Sequence, residues 1–327
     1  MGESLVRAAP HVGVDDAGRD RFGRAAFAAF AAFVEVVALM DIRMVSVTGL
    51  ELRVATSPPR PGTLPLFFFN GIGANLELLR DFADEIGKYG IGIIAFDVPG
   101  TGGSSEPPGP YRLAWLAKVA SELLVTLGIE GQVDVGGVSW GGGIAQEFAH
   151  RYPLRVRRLL LAATSAGAVS LPGSPSALLK LLDRRRYADR DFMLHIGGEL
   201  YGGKLRDNPE LMKRYADALR APRAGGYALQ LRALVGWTSA HWLRGLRQPT
   251  LVMVGTDDPI VPVANGRLLA KLIPNARLVT IDDGHLFLVT SARECAPIVA
   301  HFLNAEDASR ESSGCDAKAP KHAAGAT

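Results

Sequence analysis

The chain has 327 residues, 48% of them hydrophobic and 21% charged, with a formal net charge of +3. This is the balance of a globular chain with ample core, and a charge so small and scattered argues against a nucleic-acid partner. Cys295 and Cys315 share no metal-ligand spacing with the seven histidines and make no disulfide framework, so no metal or other cofactor is expected and a reducing cytoplasm is the natural setting.

In chain order, the first feature is the apolar run at residues 25–40 (AAFAAFAAFVEVVALM), interrupted by Glu35. It falls short of the roughly 18–20 apolar residues of a membrane span. Asp15, Asp16 and Asp20 precede it and no small-residue cleavage site follows, which argues against a signal peptide. Residues 1–41 are therefore set apart as an N-terminal extension, read as an amphipathic helix or as translated sequence ahead of a start at Met40 or Met44.

From residue 42 the pattern is regular. MVSVTGLELRVATS alternates about Thr48-Gly49, as an opening hairpin does. Short apolar runs at 65–71, 92–98, 132–139, 158–164, 250–256 and 276–282 predict strands buried on both faces. Helical stretches at 76–88, 111–128, 140–152, 262–273 and 291–304 lie between or after them, and the alternation predicts a doubly wound, mostly parallel sheet. Pro153 and Pro274 mark two helix ends, and Ser291 with Glu294 predicts a capping box for the last helix. Residues 169–248 break the alternation with several helical patterns, one opening at Asn208-Pro209-Glu210. This predicts a helical cap over the strand ends, where open α/β sheets bind ligands. The core is then 42–168 with 249–305, and the small, polar tail at 306–327 reads as disordered.

Gly137-Val138-Ser139-Trp140-Gly141 has the form G-x-S-x-G between a predicted strand and a predicted helix. A serine raised on such a strand–turn–helix elbow needs nearly side-chain-free residues two before and two after it, and glycine supplies both. Its hydroxyl needs a base held in the right tautomer. In this arrangement the acid and the histidine follow the serine in chain order, at the ends of later strands. TLVMVGTDDP ends with Asp257 and Asp258, and ARLVTIDDGH reaches His285 on a loop. Asp258, further from the strand, is the better acid, while Asp257 remains a candidate. His150 and His301 fall within helices, His195 and His241 within the cap, and His11 and His322 within the extensions. Backbone N–H groups of Trp140 and of Ile72, in the turn Asn70-Gly71-Ile72-Gly73, are the expected oxyanion donors. Asp97 is read as structural, Asp282 and Asp283 as binding their own loop backbone, and Arg184, Arg185 and Arg186 as a solvated face. The pattern predicts an α/β-hydrolase fold with the cap inserted before the acid-bearing strand.

FFNGIGANLEL (68–78), AFDVPGTGGSS (95–105), GVSWGGG (137–143), LAATSAGAV (161–169), GWTSAHWL (236–243) and DDGHLFLVT (282–290) together resemble the intracellular polyhydroxyalkanoate depolymerases, particularly those acting on medium-chain-length polyesters. The resemblance runs from about Ile42 to Leu303, and Asn70-Gly71 fits it where many hydrolases carry His-Gly. It implies a triad of Ser139, Asp258 and His285. It implies a cytoplasmic enzyme without cofactor or membrane span, bound to the surface of polyester storage granules and releasing 3-hydroxyalkanoate monomers or oligomers. Trp237 and Trp242, with Phe192, Met193 and Leu194, are then candidate polymer contacts. A carboxylesterase or lipase on small esters, an acyltransferase, and a granule-coating protein with a vestigial site are the alternatives.

Overall fold

The computed structural model describes residues 40–220 and 225–305. The N-terminal extension and the tail, with the expectations attached to them, lie outside the described residues.

Thr48 and Gly49 both take positive φ, 48° and 83°, as a two-residue hairpin turn requires. They join β1 (Asp41–Val47) to β2 (Leu50–Thr56), paired antiparallel with Val47 opposite Leu50. The remaining strands are β3 (Leu66–Phe69), β4 (Ile93–Phe96), β5 (Val133–Val138), β6 (Val156–Ala162), β7 (Thr250–Gly255) and β8 (Ala276–Ile281). The sheet runs β1-β2-β4-β3-β5-β6-β7-β8, parallel throughout except where β2 pairs with β1 and β4.

The side-chain period of two sorts each central strand between two cores. Phe67 and Phe69 of β3, with Ile94 and Phe96 of β4, enter one core against α2 (Leu113–Thr126) and α3 (Trp140–Arg151). Leu66, Phe68, Ile93 and Ala95 enter the other, against α1 (Arg80–Gly87) and the C-terminal helix Ala292–Asn304. Phe67, Phe69 and Phe148 pack with ring centroids 4.9–6.2 Å apart, so truncating any of them to alanine should cost about 3–5 kcal/mol.

Between β6 and β7 the described residues form no strand; they form α4 (Pro175–Leu182), α5 (Arg185–Ala188), α6 (Arg190–Tyr201), α7 (Lys204–Asp207), α8 (Pro209–Ala218) and α9 (Gly226–Leu234), with a 3₁₀ turn at Leu243–Gly245. They carry a core of their own, including Met193, Ile196, Leu200 and Met212, closed against Leu78 and Ile260. The Asn208 side chain caps α8 at Leu211 N–H, as its sequence predicts. After β7 come α10 (Val263–Leu272), the one-turn α11 (Phe287–Thr290) and α12 (Ala292–Asn304).

Two local expectations fail. The stretch at 76–88 opens as a 3₁₀ turn, Leu76–Leu79, before α1. The capping box at Ser291 does not form: the Ser291 hydroxyl donates to Asp283 Oδ2 (2.6 Å) and the Glu294 carboxylate pairs with Lys204 (2.6 Å). A capping serine accepts from the N–H groups of the helix end, whereas here the hydroxyl is turned to donate to a buried carboxylate, a stronger charge-assisted bond.

One ion cluster ties the loops on the strand ends together. Arg53 on β2 pairs with Glu77 (2.7 Å) and Asp97 (3.2 Å), and Arg220 reaches Glu77 from the helical segment (2.8 Å). Burial alone would raise the Glu77 pKa, but hydrogen bonds from Arg53 and Asn75 outweigh it and bring the value from 4.5 to about 2. A carboxylate so lowered stabilises the fold above pH 4.5 and loses that contribution as pH falls through about 2. Glu77→Gln should therefore flatten the loss of stability with acid across that window, read as the wild-type-minus-variant difference in denaturant midpoint. Parallel acid limbs would show that the carboxylate is not held down.

Candidate active site

Strand β5 ends at Val138 and α3 begins at Trp140, leaving Ser139 alone to turn the chain, at φ 55° and ψ −121°. Such a conformation costs a non-glycine residue on the order of 1–3 kcal/mol and persists only where its surroundings impose it. Here Ser139 N–H donates to Ala162 O (2.8 Å), and the Thr164 hydroxyl donates to Ser139 O (2.7 Å). A Cβ on Gly137 would lie 2.3 Å from Gly141 O, and one on Gly141 would lie 2.2 Å from Phe69 O. The two glycines of the motif are thus demanded by space.

His285, on the loop between β8 and α11, is buried. Its Nε2 lies 3.0 Å from Ser139 Oγ and its Nδ1 lies 2.7 Å from Asp258 Oδ2. Asp258 Oδ1 is already occupied, accepting from Ile260 N–H (2.8 Å) and Val261 N–H (2.9 Å), so only Oδ2 is left for the imidazole. A carboxylate can only accept. Nδ1 therefore carries the proton and Nε2 presents a lone pair to the serine hydroxyl. His285 N–H donates to Tyr201 O (2.7 Å), and the two rings stack with centroids 6.4 Å apart.

Asp257, the other candidate acid, faces away: it accepts from Gly203 N–H (2.7 Å) and pairs with Arg206 (2.9 Å). Asp283 binds backbone at Lys204 N–H and Gly284 N–H, as its loop position predicts, whereas Asp282 bonds the Thr256 hydroxyl. Asp97 accepts from Leu76 N–H, Gly103 N–H and Arg53, a structural role.

The turn after β3 runs beside the serine: a Cβ on Gly71 would lie 3.6 Å from Ser139 Cβ. No acceptor among the described residues takes the N–H of Ile72 or of Trp140. Both residues line a cavity with Ser139. Gln230 on α9, which belongs to no motif of the chain, fixes both sides of this gap. Its side-chain oxygen accepts from Gly73 N–H (2.7 Å) and its carbonyl accepts from the Trp140 indole (3.0 Å).

The cavity over Ser139 and His285 spans about 700 Å³, its open mouth included, and its walls include Phe68, Leu78, Phe82 and Val289. Trp237 walls a second cavity that also reaches Ser139, with its indole N–H tied to Glu147 (2.8 Å). Trp242 is not brought to the site: it stacks on His150 at 4.4 Å and packs against the sheet core. Met193 is buried within the helical segment, with Phe192 and Leu194 packed against the same cluster. Arg186 corrects the expectation of a solvated face, for it is 3% exposed and lines the cavity of Ser139. The available signal was compositional, since four of the chain's seven tyrosines (187, 201, 215 and 227) fall in the helical segment. No group of three His, Cys, Asp or Glu side chains able to hold a metal occurs among the described residues.

A serine on a strained elbow, a histidine on a later loop and an eight-stranded, mostly parallel sheet are the marks of one class of protein. Residues 65–292 match the family described as alpha/beta hydrolase fold, and the chain belongs to it. Within that class it is 50% identical over 264 residues, 81% of this chain and 93% of the relative, to the poly(3-hydroxyalkanoate) depolymerase of Ectopseudomonas oleovorans. It is 29% identical to 3-oxoadipate enol-lactonase 2 of Acinetobacter baylyi over 68% of this chain and 81% of that one. Among solved structures, the enol-lactonase of Burkholderia xenovorans superposes with a TM-score of 0.70 at 25% identity, covering 80% of this chain and all of that one.

Proposed function

We propose that this protein is a poly(3-hydroxyalkanoate) depolymerase, a serine hydrolase that cleaves the ester bonds of the polymer through an acyl-enzyme. The observation that carries the reading is the 50% identity to a depolymerase across 81% of the chain. Ser139 is the nucleophile, His285 the general base and Asp258 the residue that holds the imidazole in its working tautomer. As Ser139 Oγ attacks the ester carbonyl, His285 Nε2 takes its proton, and the N–H groups of Ile72 and Trp140 receive the developing oxyanion. The departing 3-hydroxyl oxygen takes that proton from the imidazolium. Water, deprotonated by His285, then releases the acyl group as a carboxylate and restores the serine.

The substrate is a solid apolar polyester on the surface of a cytoplasmic granule, and residues 169–248 form the cap that meets it. Leu171, Leu179 and Leu182 are 55–71% exposed, on and just before α4, whose Leu178 and Leu181 wall the second cavity that reaches Ser139. Clustered exposed leucines at the rim of a site mark a docking surface. Each leucine buried contributes about 1.5–3 kcal/mol. Leu179→Glu with Leu182→Glu should therefore lower hydrolysis of emulsified polymer, relative to that of a soluble nitrophenyl ester, on the order of 10-fold or more. The primary test is the purified chain on emulsified medium-chain polyester, with products identified by mass. Turnover of nitrophenyl esters without release of 3-hydroxyalkanoates would sink the reading.

A further inference from the structure

Among the described residues, Arg186 is the one arginine or lysine that lines the cavity of Ser139 and His285, and it is held there without a counter-charge. No carboxylate among the described residues pairs with it. Its Nη1 donates to the Tyr201 hydroxyl (3.0 Å) and its Nη2 to the Tyr187 hydroxyl. Its plane lies over the rings of Tyr187 and Tyr227, at 4.1 and 4.9 Å from their centroids. Its buried Nε–H has no acceptor among the described residues. Burial lifts the Tyr187 and Tyr215 hydroxyls well above their ordinary pKa, so these phenols stay neutral and supply no negative charge. An arginine cannot shed its proton, and a buried charge without a partner is destabilising unless a ligand compensates it.

A second unused donor stands beside it. The Tyr201 hydroxyl accepts from Arg186 and from Tyr215 (3.1 Å), and its own hydrogen has no acceptor among the described residues. Tyr201 also lines the cavity. A guanidinium edge next to a phenolic O–H, in an otherwise apolar wall, matches a carboxylate, whose two oxygens take parallel donors. The Tyr187 hydroxyl, which receives Nη2, passes its own hydrogen to Ile72 O (3.2 Å), so the cation sits one side chain away from the turn beside Ser139.

We propose that Arg186 and Tyr201 form a carboxylate subsite next to Ser139 that takes the free carboxylate at the end of a polyester chain or of a short 3-hydroxyacid oligomer. This rests on the depolymerase reading above and adds a direction to it. In the last unit of such a chain, one methylene separates the carboxylate from the carbon that bears the ester oxygen. Anchoring that carboxylate sets the final ester bond at Ser139, and cleavage frees one 3-hydroxyacid as the leaving alcohol. Hydrolysis of the acyl-enzyme leaves the shortened chain with a new terminal carboxylate, the same group the subsite recognises.

The test compares a 3-hydroxyacid dimer bearing a free carboxylate with its methyl ester, using the full chain and Arg186→Met, Arg186→Lys and Tyr201→Phe. Wild type should favour the free acid in kcat/KM on the order of 10- to 100-fold, the range set by a charged hydrogen bond. Arg186→Met should abolish that preference through KM for the acid, and Arg186→Lys should keep part of it. Tyr201→Phe, which leaves the cation in place, should give a smaller loss of the same kind. If Arg186 served only to brace the helices over the site, every variant would lower both substrates alike and leave their ratio at the wild-type value. That result, or a wild type indifferent to the carboxylate while still degrading polymer, overturns the subsite alone. Turnover of nitrophenyl esters with neither dimer nor polymer cleaved would remove the depolymerase reading as well.

Discussion

Ser139→Ala should lower ester hydrolysis by about 10⁶-fold in kcat, because nucleophile and base act as a unit and losing the nucleophile costs nearly as much as losing the whole triad. The variant should fold. Among the described residues Ser139 Oγ bonds only His285 Nε2, while the backbone contacts to Ala162 and Thr164 that hold the elbow do not involve the side chain. Its positive φ strains alanine and serine alike. The comparison is made on a nitrophenyl ester with circular dichroism as the control for folding. A folded variant that keeps more than about a thousandth of wild-type kcat would take Ser139 out of its role.

Asp258→Asn should lower kcat about 10⁴-fold, and Asp257→Asn far less. An amide at 258 can present its NH₂ to His285 Nδ1, which then accepts instead of donating, and the proton moves to Nε2, where the serine needs a lone pair. The buried carboxylate 2.7 Å from Nδ1 makes this the site where that inversion matters. Asp257 is exposed and joins the loop to Gly203 and Arg206, so its loss should show in thermal stability before it shows in turnover. Reversal of the two kinetic effects would reassign the acid.

The sheet was legible because its strands are buried on both faces and leave unbroken apolar runs. The hairpin was legible because Thr48-Gly49 takes the turn that its flanking alternation requires. The meeting of Ser139, Asp258 and His285 was legible because the wiring of the sheet brings the ends of these later strands beside the elbow. That Asp258 and not Asp257 meets His285 follows from the distance each lies from the strand end. What escaped depends on partners remote in sequence. Ser291 reads as a helix cap, yet Asp283 claims its proton. Arg186 reads as one of three solvated arginines, yet tyrosines 187, 201 and 227 enclose it. Gln230 stands out in no motif, yet it bridges two turns of the site. No local periodicity encodes such meetings.

The junction of α6 and α7 touches the loops of both the acid and the histidine. Tyr201 O holds His285 N–H, Gly203 N–H is held by Asp257, and Lys204 N–H is held by Asp283. The helical segment is therefore no door on a hinge, since swinging it outward at this seam would pull the imidazole off the serine. Any opening that admits substrate has to leave this seam shut. The same bonds bind the segment's history to that of the core: an exchanged insert has to bring a backbone carbonyl to the place of Tyr201 O, or the histidine loses its footing.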